Sequence, residues 1–346
     1  MYSSNKEFRI VEKLNDGLKH LEGKDDSISL SKEIKAEAMN LGFFTCGIAR
    51  AGTVDKVTSS HILHWLADHD NAGMDYMNNY TEKRLNPVLL MDGLKSIVSV
   101  ALNYTPSKTL PKDQFQLSAY ALGQDYHEVV KTKLRLLAEH FQFKHYRVFC
   151  DSAPILERYW AEKAGLGWTG RNHQLIIPYA GSMFFLGELF LDQELDYDQP
   201  MKNRCGNCHR CIDACPTHAL RKDQEIDANL CLSYQLIENR GELSEKAKEK
   251  MGNVIYGCDR CQLACPWNRF AGPNQIPELQ PREELLKMTK KDWENLTVEE
   301  YRKLFKGSAV KRAKYAGLMR NIKAAQKTSE EIKKKKEDDH TEISNS

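Results

Sequence analysis

Apolar positions along the chain follow two spacings. After a polar, weakly periodic stretch over residues 1–28, Ile34, Ala38 and Leu41 recur at i, i+4 and i+7. This predicts a helix capped by Ser31 and closed by Gly42. Ser96-Ile97-Val98-Ser99-Val100-Ala101-Leu102 is a short apolar run with β-branched residues and reads as a buried strand. Val130, Leu134, Leu137 and Phe141 form one face of a second helix. Tyr146 to Cys150 reads as the next strand, which delivers Asp151 at its C-terminal end. Pro154 suits the first position of a helix carrying Ile155, Leu156, Tyr159 and Trp160, with Gly165 as its stop. Gln174 to Ile177 and Met183 to Leu186 are two further strands, with Pro178 and Gly181 marking the turn between them. Strands and helices mixed in this way, without a regular βαβ period, predict an α+β domain over residues 29–199.

Three segments follow. Residues 200–272 are rich in cysteine, 273–328 are helical and basic, and the low-complexity tail 329–346, with its run Lys333 to Lys336, predicts disorder. Fifty Lys and Arg against 48 Asp and Glu leave a net charge of +2, so any nucleic-acid or acidic partner must meet a local patch. No run approaches the roughly 20 apolar residues of a membrane helix. The N-terminus carries no signal-peptide core, which predicts a cytoplasmic protein.

Eight of the ten cysteines lie between Cys205 and Cys265. In a long chain without a secretion signal, such a cluster points to metal or redox chemistry rather than disulfides. Cys205, Cys208, Cys211 and Cys215, followed by Pro216, form an unbroken C-x2-C-x2-C-x3-C-P. Three thiolates so spaced wrap one [4Fe–4S] cluster, and the fourth crosses to another. A partial copy, Cys258, Cys261 and Cys265 before Pro266, is completed by Cys231. The cross-over rule assigns Cys205, Cys208, Cys211 and Cys265 to one cluster, and Cys215, Cys231, Cys258 and Cys261 to the other. Zinc held by two CxxC pairs is the alternative; it would strand four thiols and leave both Cys-Pro pairs unexplained. His209 and His218 sit among the ligands as surface or supporting residues. Cys46 and Cys150 read as small buried hydrophobes. No G-x-G-x-x-G fingerprint accompanies the module.

Several ordered motifs then carry a resemblance. Tyr120-Ala121-Leu122-Gly123-Gln124-Asp125-Tyr126-His127 is one. Asp151-Ser152-Ala153-Pro154-Ile155-Leu156-Glu157-Arg158 is another, followed by Ala164-Gly165-Leu166-Gly167-Trp168-Thr169-Gly170-Arg171-Asn172. With Gly181-Ser182, Leu186-Gly187 and the eight cysteines, the chain closely resembles epoxyqueuosine reductase from about residue 30 to about residue 325. The resemblance implies an N-terminal mixed α/β domain binding cobalamin, a ferredoxin-like module with two [4Fe–4S] clusters, and a short helical C-terminal region. It implies reduction of the epoxide on a modified base at the tRNA wobble position, the last step of queuosine synthesis. The clusters would relay electrons to cobalt from a donor such as flavodoxin or ferredoxin, and the protein is expected to be a monomer.

By the same resemblance Asp151 is the proton donor and a cobalamin contact, kept protonated by burial; taken alone it reads as a helix cap. Arg84 is implied as a cobalamin contact, against a surface ion pair with Glu82 or Asp92. His173, Gln174, Leu175 and Leu186 are implied to line the corrin, although His173 and Gln174 alone suit a solvated strand. Ser118 stands at a pocket position where some relatives carry Cys, and Ser233 and Asp259, beside ligand cysteines, are placed under the corrin. From Tyr301 to Lys323 the chain has eight basic residues and no acid. Lys311, Arg312, Lys314 and Arg320 there are the candidate tRNA contacts, although a basic run more often marks a solvated helix face. A reductive dehalogenase and a ferredoxin-like electron carrier are the competing readings.

Overall fold

The computed structural model describes residues 27–222 and 225–328. The expected N-terminal extension, apart from its last two residues, and the expected disordered tail lie outside them. The first helix, α1, spans residues 27–40 and so begins before Ser31. Ser31 is not its cap. Its hydroxyl donates to the Ser27 carbonyl at 2.6 Å and accepts from the Asp196 N–H at 2.8 Å, tying α1 to the chain beyond the sheet. Gly42, with φ +94°, closes the helix as expected.

Strand β1 (Thr45–Arg50) is followed by α2 (Lys56–Ala67) and the short α3 (Thr81–Leu85), and then by β2 (Ser96–Asn103). β3 (Gln116–Leu117), α4 (Tyr126–His140), β4 (Tyr146–Phe149) and α5 (Glu157–Lys163) come next. β5 (Trp168–Thr169), β6 (Leu175–Ile176) and β7 (Phe184–Leu191) complete the N-terminal part. The main sheet has the order β1-β2-β7-β4, every pair antiparallel. Both central strands are buried nearly throughout. Helices cover both faces, which is why these strands read as continuous apolar runs rather than alternating ones. Ile34, Val130, Leu134 and Leu137, from α1 and α4, pack with Val98, Val100 and Leu189 on one face. Trp160 and Ala161 of α5, with Ala164 just after it, pack with Ile97, Leu186 and Phe190 on the other.

α5 is shorter than the sequence suggests. Pro154, Ile155 and Leu156 precede it in a bent segment, and the helix starts only at Glu157. β7 in turn runs well beyond the expected Leu186, because its partners β2 and β4 continue alongside it.

The cysteine segment contributes α6 (Arg210–Asp213), α7 (Leu232–Ile237), α8 (Glu245–Met251), β8 (Val254–Tyr256) and α9 (Arg260–Leu263). β8 pairs in parallel with β3, and one core joins Phe115, Leu117, Leu236, Tyr256, Trp293, Phe305 and Leu318. The cysteine module and the C-terminal helices are thus packed onto the loop that follows β2. Among those helices, α10 (Glu283–Lys287), α11 (Lys290–Glu294) and α12 (Val298–Leu304) precede a last helix, α13, over residues 314–328. Capping boxes at Thr289/Asp292 and Thr297/Glu300 start α11 and α12 and satisfy backbone donors that such short helices otherwise expose. No helix among the described residues is long and apolar enough to cross a membrane.

Candidate active site

The chain leaves β4 at the edge of the sheet and turns sharply: Asp151 adopts φ +59°, a conformation uncommon outside glycine. The turn is held from below, where the Asp151 N–H donates to the Glu157 carboxyl at the start of α5. It is held from the side by α4, whose cap is Asp125. The Tyr126 hydroxyl donates to Asp151 Oδ2, and His127 Nε2 lies 3.3 Å from the same oxygen. His127 Nδ1 lies 2.6 Å from Asp125 Oδ1, so the imidazole bridges two carboxylates. Tyr126 is itself fixed by stacking on Phe185 with ring centroids 4.1 Å apart.

These contacts set the charge states. Burial works against the His127 charge, but the hydrogen bonds to Asp125 and Asp151 raise its pKa to about 9, so the ring is an imidazolium at neutral pH. The surrounding protein pushes the Asp151 carboxyl up, although the side chain is still 59% exposed, and the bonds from His127 and Tyr126, with the charges of His127 and Arg158, bring it below the ordinary aspartate value. Burial and the neighbouring Asp151 charge lift Glu157 to about 8. Against the expectation that burial keeps Asp151 protonated, these contacts favour its ionised form and leave the protons on His127, Tyr126 and Glu157. Behind Glu157, the fully buried Glu188 lies opposite Ser99 and Phe149 in the sheet. Burial, then the Glu157 charge, keeps it neutral.

Tyr120 connects this acid site to the cysteine module. Its hydroxyl bonds to that of Tyr256 at 3.1 Å, and it feels the charges of both Asp151 and Asp259. Asp259 accepts the Ala119 N–H at 2.7 Å and a hydrogen bond from Ser118. Burial outweighs those bonds and raises it. Ser118 and Asp259, distant in sequence, are thus brought together, and a side chain on the left-handed Gly257 would strike the Ser118 hydroxyl. Arg84 is buried rather than paired at the surface. It donates to the Tyr76 carbonyl at 3.3 Å, and its Nε has no partner among the described residues. Tyr76 in turn feels Asp151. His173 sits in a left-handed turn, not on a strand, and its carbonyl accepts from Arg158. Gln174 donates its backbone N–H to Asn172 at 3.3 Å, whereas Leu175 and Leu186 are core side chains of the α5 face. Ser233 lies in α7, its N–H directed at the Cys231 sulfur.

The cysteines of the module lie close to one another. Cys205, Cys208, Cys211 and Cys265 line one small cavity with Arg171, Asn172, Ile176, Pro266 and Trp267. The Cys261 thiol, raised by burial, is raised further by Cys258, Cys231 and Cys215, and next by Cys211 of the other group. Burial and the adjacent Cys265 and Cys205 hold Cys211 at about 11. Among the described residues no three His, Cys, Asp or Glu side chains converge tightly enough for a single metal ion. Four thiols around one cavity, three of them in C-x2-C-x2-C spacing, suit an iron–sulfur cluster. Cys46 and Cys150 are raised by burial, Cys46 to about 12, as inert thiols are. His209 pairs with Asp213 at 2.9 Å.

The basic C-terminal stretch divides. Arg320 is consumed by structure, donating to the carbonyls of Gln235, Asn239 and Gly241. Arg312 forms two bonds, 2.6 and 2.8 Å, to Glu238, lies over the Tyr76 ring and feels Asp151. It therefore stands on the rim of the acid site. Lys311 and Lys314 are exposed. Tyr126, His127, Glu157 and Arg158 stand in the motifs above with no role legible in the sequence; Asp125, two residues before His127, is the signal the sequence carries.

Comparison with known proteins agrees with this arrangement. Residues 204–268 match the 4Fe-4S double cluster binding domain family, and residues 84–152 match the family described as Epoxyqueuosine reductase QueG, DUF1730. The epoxyqueuosine reductase of Cellulophaga algicola is 44% identical over 84% of this chain and 95% of its own. That of Escherichia coli K12 is 38% identical over 87% and 81%. A crystal structure of epoxyqueuosine reductase with an epoxyqueuosine-modified tRNA stem loop superposes with TM-score 0.80 at 29% identity, covering 87% of this chain and 81% of that one. The Streptococcus thermophilus enzyme superposes with TM-score 0.78 over 86% and 81%. With its cysteines grouped as a double-cluster module beside a bonded aspartate, and relatives this similar over most of its length, the chain belongs to the epoxyqueuosine reductase family.

Proposed function

We propose that this protein reduces the epoxide of epoxyqueuosine at the tRNA wobble position to the cyclopentene of queuosine, using cobalamin and two [4Fe–4S] clusters. The observation that carries this reading is the Asp151 turn, held between Tyr126, His127 and Glu157 and linked through Tyr120 to the cysteine module. Two relatives support it. One holds an epoxyqueuosine-modified tRNA stem loop, and a Bacillus subtilis structure has its aspartate catalytic loop swung out of the active site.

The reaction takes two electrons and two protons, and the epoxide oxygen leaves as water. Two buried donors, Arg84 Nε and Asn172 Nδ2, have no internal acceptor among the described residues, which suits a large group rich in amides and phosphate. Arg84, Ser118, Asp259 and the His173–Leu175 turn would hold the cobalamin, with Leu186 and Ser233 as outer contacts. When bound it supplies a strongly reducing cobalt centre. Asp151 acts as a relay: each proton passes from its neighbours, which hold protons at neutral pH, through the Asp151 carboxylate to the departing oxygen. Tyr126, His127 and Glu157 are positioning residues in this scheme. Lys311, Lys314 and Arg312 on the rim meet RNA phosphates, and a splayed anticodon base enters the crevice. Single electrons arrive from a small carrier of the flavodoxin or ferredoxin kind, and the protein works as a cytoplasmic monomer.

The test is complementation. In a bacterial strain that accumulates epoxyqueuosine, expression of this chain is expected to convert tRNA epoxyqueuosine to queuosine, read by nucleoside mass spectrometry, and Asp151→Asn is expected not to. Persistence of epoxyqueuosine with well-expressed, cluster-loaded protein and cobalamin supplied would refute the proposal.

A further inference from the structure

Beside the first cysteine group the surface is unusual. Trp267, in the wall of the cavity that Cys205, Cys208, Cys211 and Cys265 line, packs on Trp168 inside, at 5.0 Å between ring centroids. Outside it meets Tyr179 at 5.9 Å and Phe270 at 6.2 Å. Tyr179 is 69% exposed, Phe270 40% and the nearby Leu263 68%. Large apolar side chains clustered in water mark an interaction surface more often than scattered ones do. The surrounding segments are mainly basic; the acids that flank them, Asp198 and Asp213, are paired with Lys35 and His209. Residues 168–181, 199–212 and 263–273 contain Arg171, Lys202, Arg204, Arg210 and Arg269 and no Asp or Glu. Lys202, Arg204, Arg210 and Arg269 are exposed. Arg269 lies over the Phe270 ring at 4.6 Å, and Arg171 donates to the Gly206 carbonyl within the cysteine motif at 2.8 Å.

We infer that this face docks an acidic one-electron carrier protein, with Tyr179, Phe270 and Leu263 as the apolar centre and the four exposed basic residues as its rim. The inference rests on the double-cluster reading of the cysteines. An apolar centre inside a charged rim of one sign fits a transient partner, whose approach is steered by opposite charge and whose release is fast. Docking there puts the carrier's redox group next to Trp267 and the first cluster, the cysteine group that opens toward this surface. In each encounter the carrier loses one electron and the cluster gains it, so two encounters supply one turnover. The candidate RNA contacts, Arg312 and Lys311, are not among the residues of this face.

The experiment uses reconstituted holoenzyme and fully reduced flavodoxin as the acidic carrier, with cluster bleaching followed by anaerobic stopped flow over a range of ionic strength. Sodium dithionite serves as a reductant that needs no docking. In the triple variant Arg204→Glu/Arg210→Glu/Arg269→Glu, reduction by flavodoxin is expected to slow at least about tenfold at low salt and to lose its steep salt dependence. Iron content, bleaching by dithionite and tRNA affinity are expected to match the parent. Neutral Gln replacements at the same positions should fall between, and calorimetric titration with oxidised flavodoxin should weaken in the same order. An unchanged flavodoxin rate overturns the inference, and so does loss of tRNA affinity with flavodoxin reduction intact, which would give this face to RNA. Failure of dithionite to bleach the parent protein would remove the cluster reading itself, and with it the inference.

Discussion

At the scale of single residues, the distribution of protons around Asp151 matters most. The aspartate sits below its ordinary pKa because it is the shared acceptor of Tyr126 and the charged His127, and Glu157 pays the electrostatic consequence by holding its proton to about pH 8. Asp151→Asn is expected to keep iron and cobalamin while lowering kcat by at least about a hundredfold, in the range that general acids contribute. Full activity would remove Asp151 from the chemistry. Glu157→Gln tests the reservoir. The folded protein holds a Glu157 proton that the unfolded chain releases near 4.5, so this carboxyl costs stability increasingly as pH rises from there through about 8. The Gln variant should therefore gain thermal stability over the parent at pH 8.5, with the gain vanishing at pH 5. Its kcat/KM profile should lose the limb near pH 8. His127 has the opposite origin and the same trend: its raised pKa stabilises below 6.5, and that stability is lost as pH climbs through about 9.

At the scale of elements, the C-terminal stretch shows how one run of basic residues can serve two purposes. Arg320 satisfies carbonyls at the ends of the α7 segment, so Arg320→Ala leaves acceptors unpaired and should cost about 1–3 kcal/mol of stability, visible as a lower Tm. The double variant Lys311→Glu/Lys314→Glu touches no internal partner and should leave Tm unchanged while weakening tRNA binding. The slope of log affinity against log salt should fall by about one unit per lost contact. The sequence cannot separate these residues, because charge shows in a sequence and burial partners do not. Elsewhere its legibility follows the same physics. β2 and α4 are readable because apolar spacing is itself the cause of their burial. The start of α1 and the late start of α5 are not, because Ser31 bonds Asp196 and Asp151 bonds Glu157, contacts that exist only once the chain has folded. Asp151 was legible as a strand-end acid, but its charge state depends on His127, which reaches it from another helix.

At the scale of the whole molecule, the cysteine spacing divides the eight thiols of the module into two sets of four, since alternating assignment of two cysteine motifs leaves no thiol over. Cys231→Ala should reduce iron from about eight to about four per chain and leave the signal of the other cluster; retention of eight would break the grouping. The main sheet places the acid site at the end of β4, the β3–β8 pair anchors the cysteine module behind it, and Tyr120 lies between them. This arrangement has a direct test in a single anaerobic turnover of reconstituted protein with epoxyqueuosine tRNA, cobalamin and a strong reductant, with nucleosides read by mass spectrometry. The expected result is loss of one oxygen from the modified base, dependent on added cobalamin and absent with Asp151→Asn. Unconverted epoxyqueuosine despite intact clusters and bound cobalamin would contradict it.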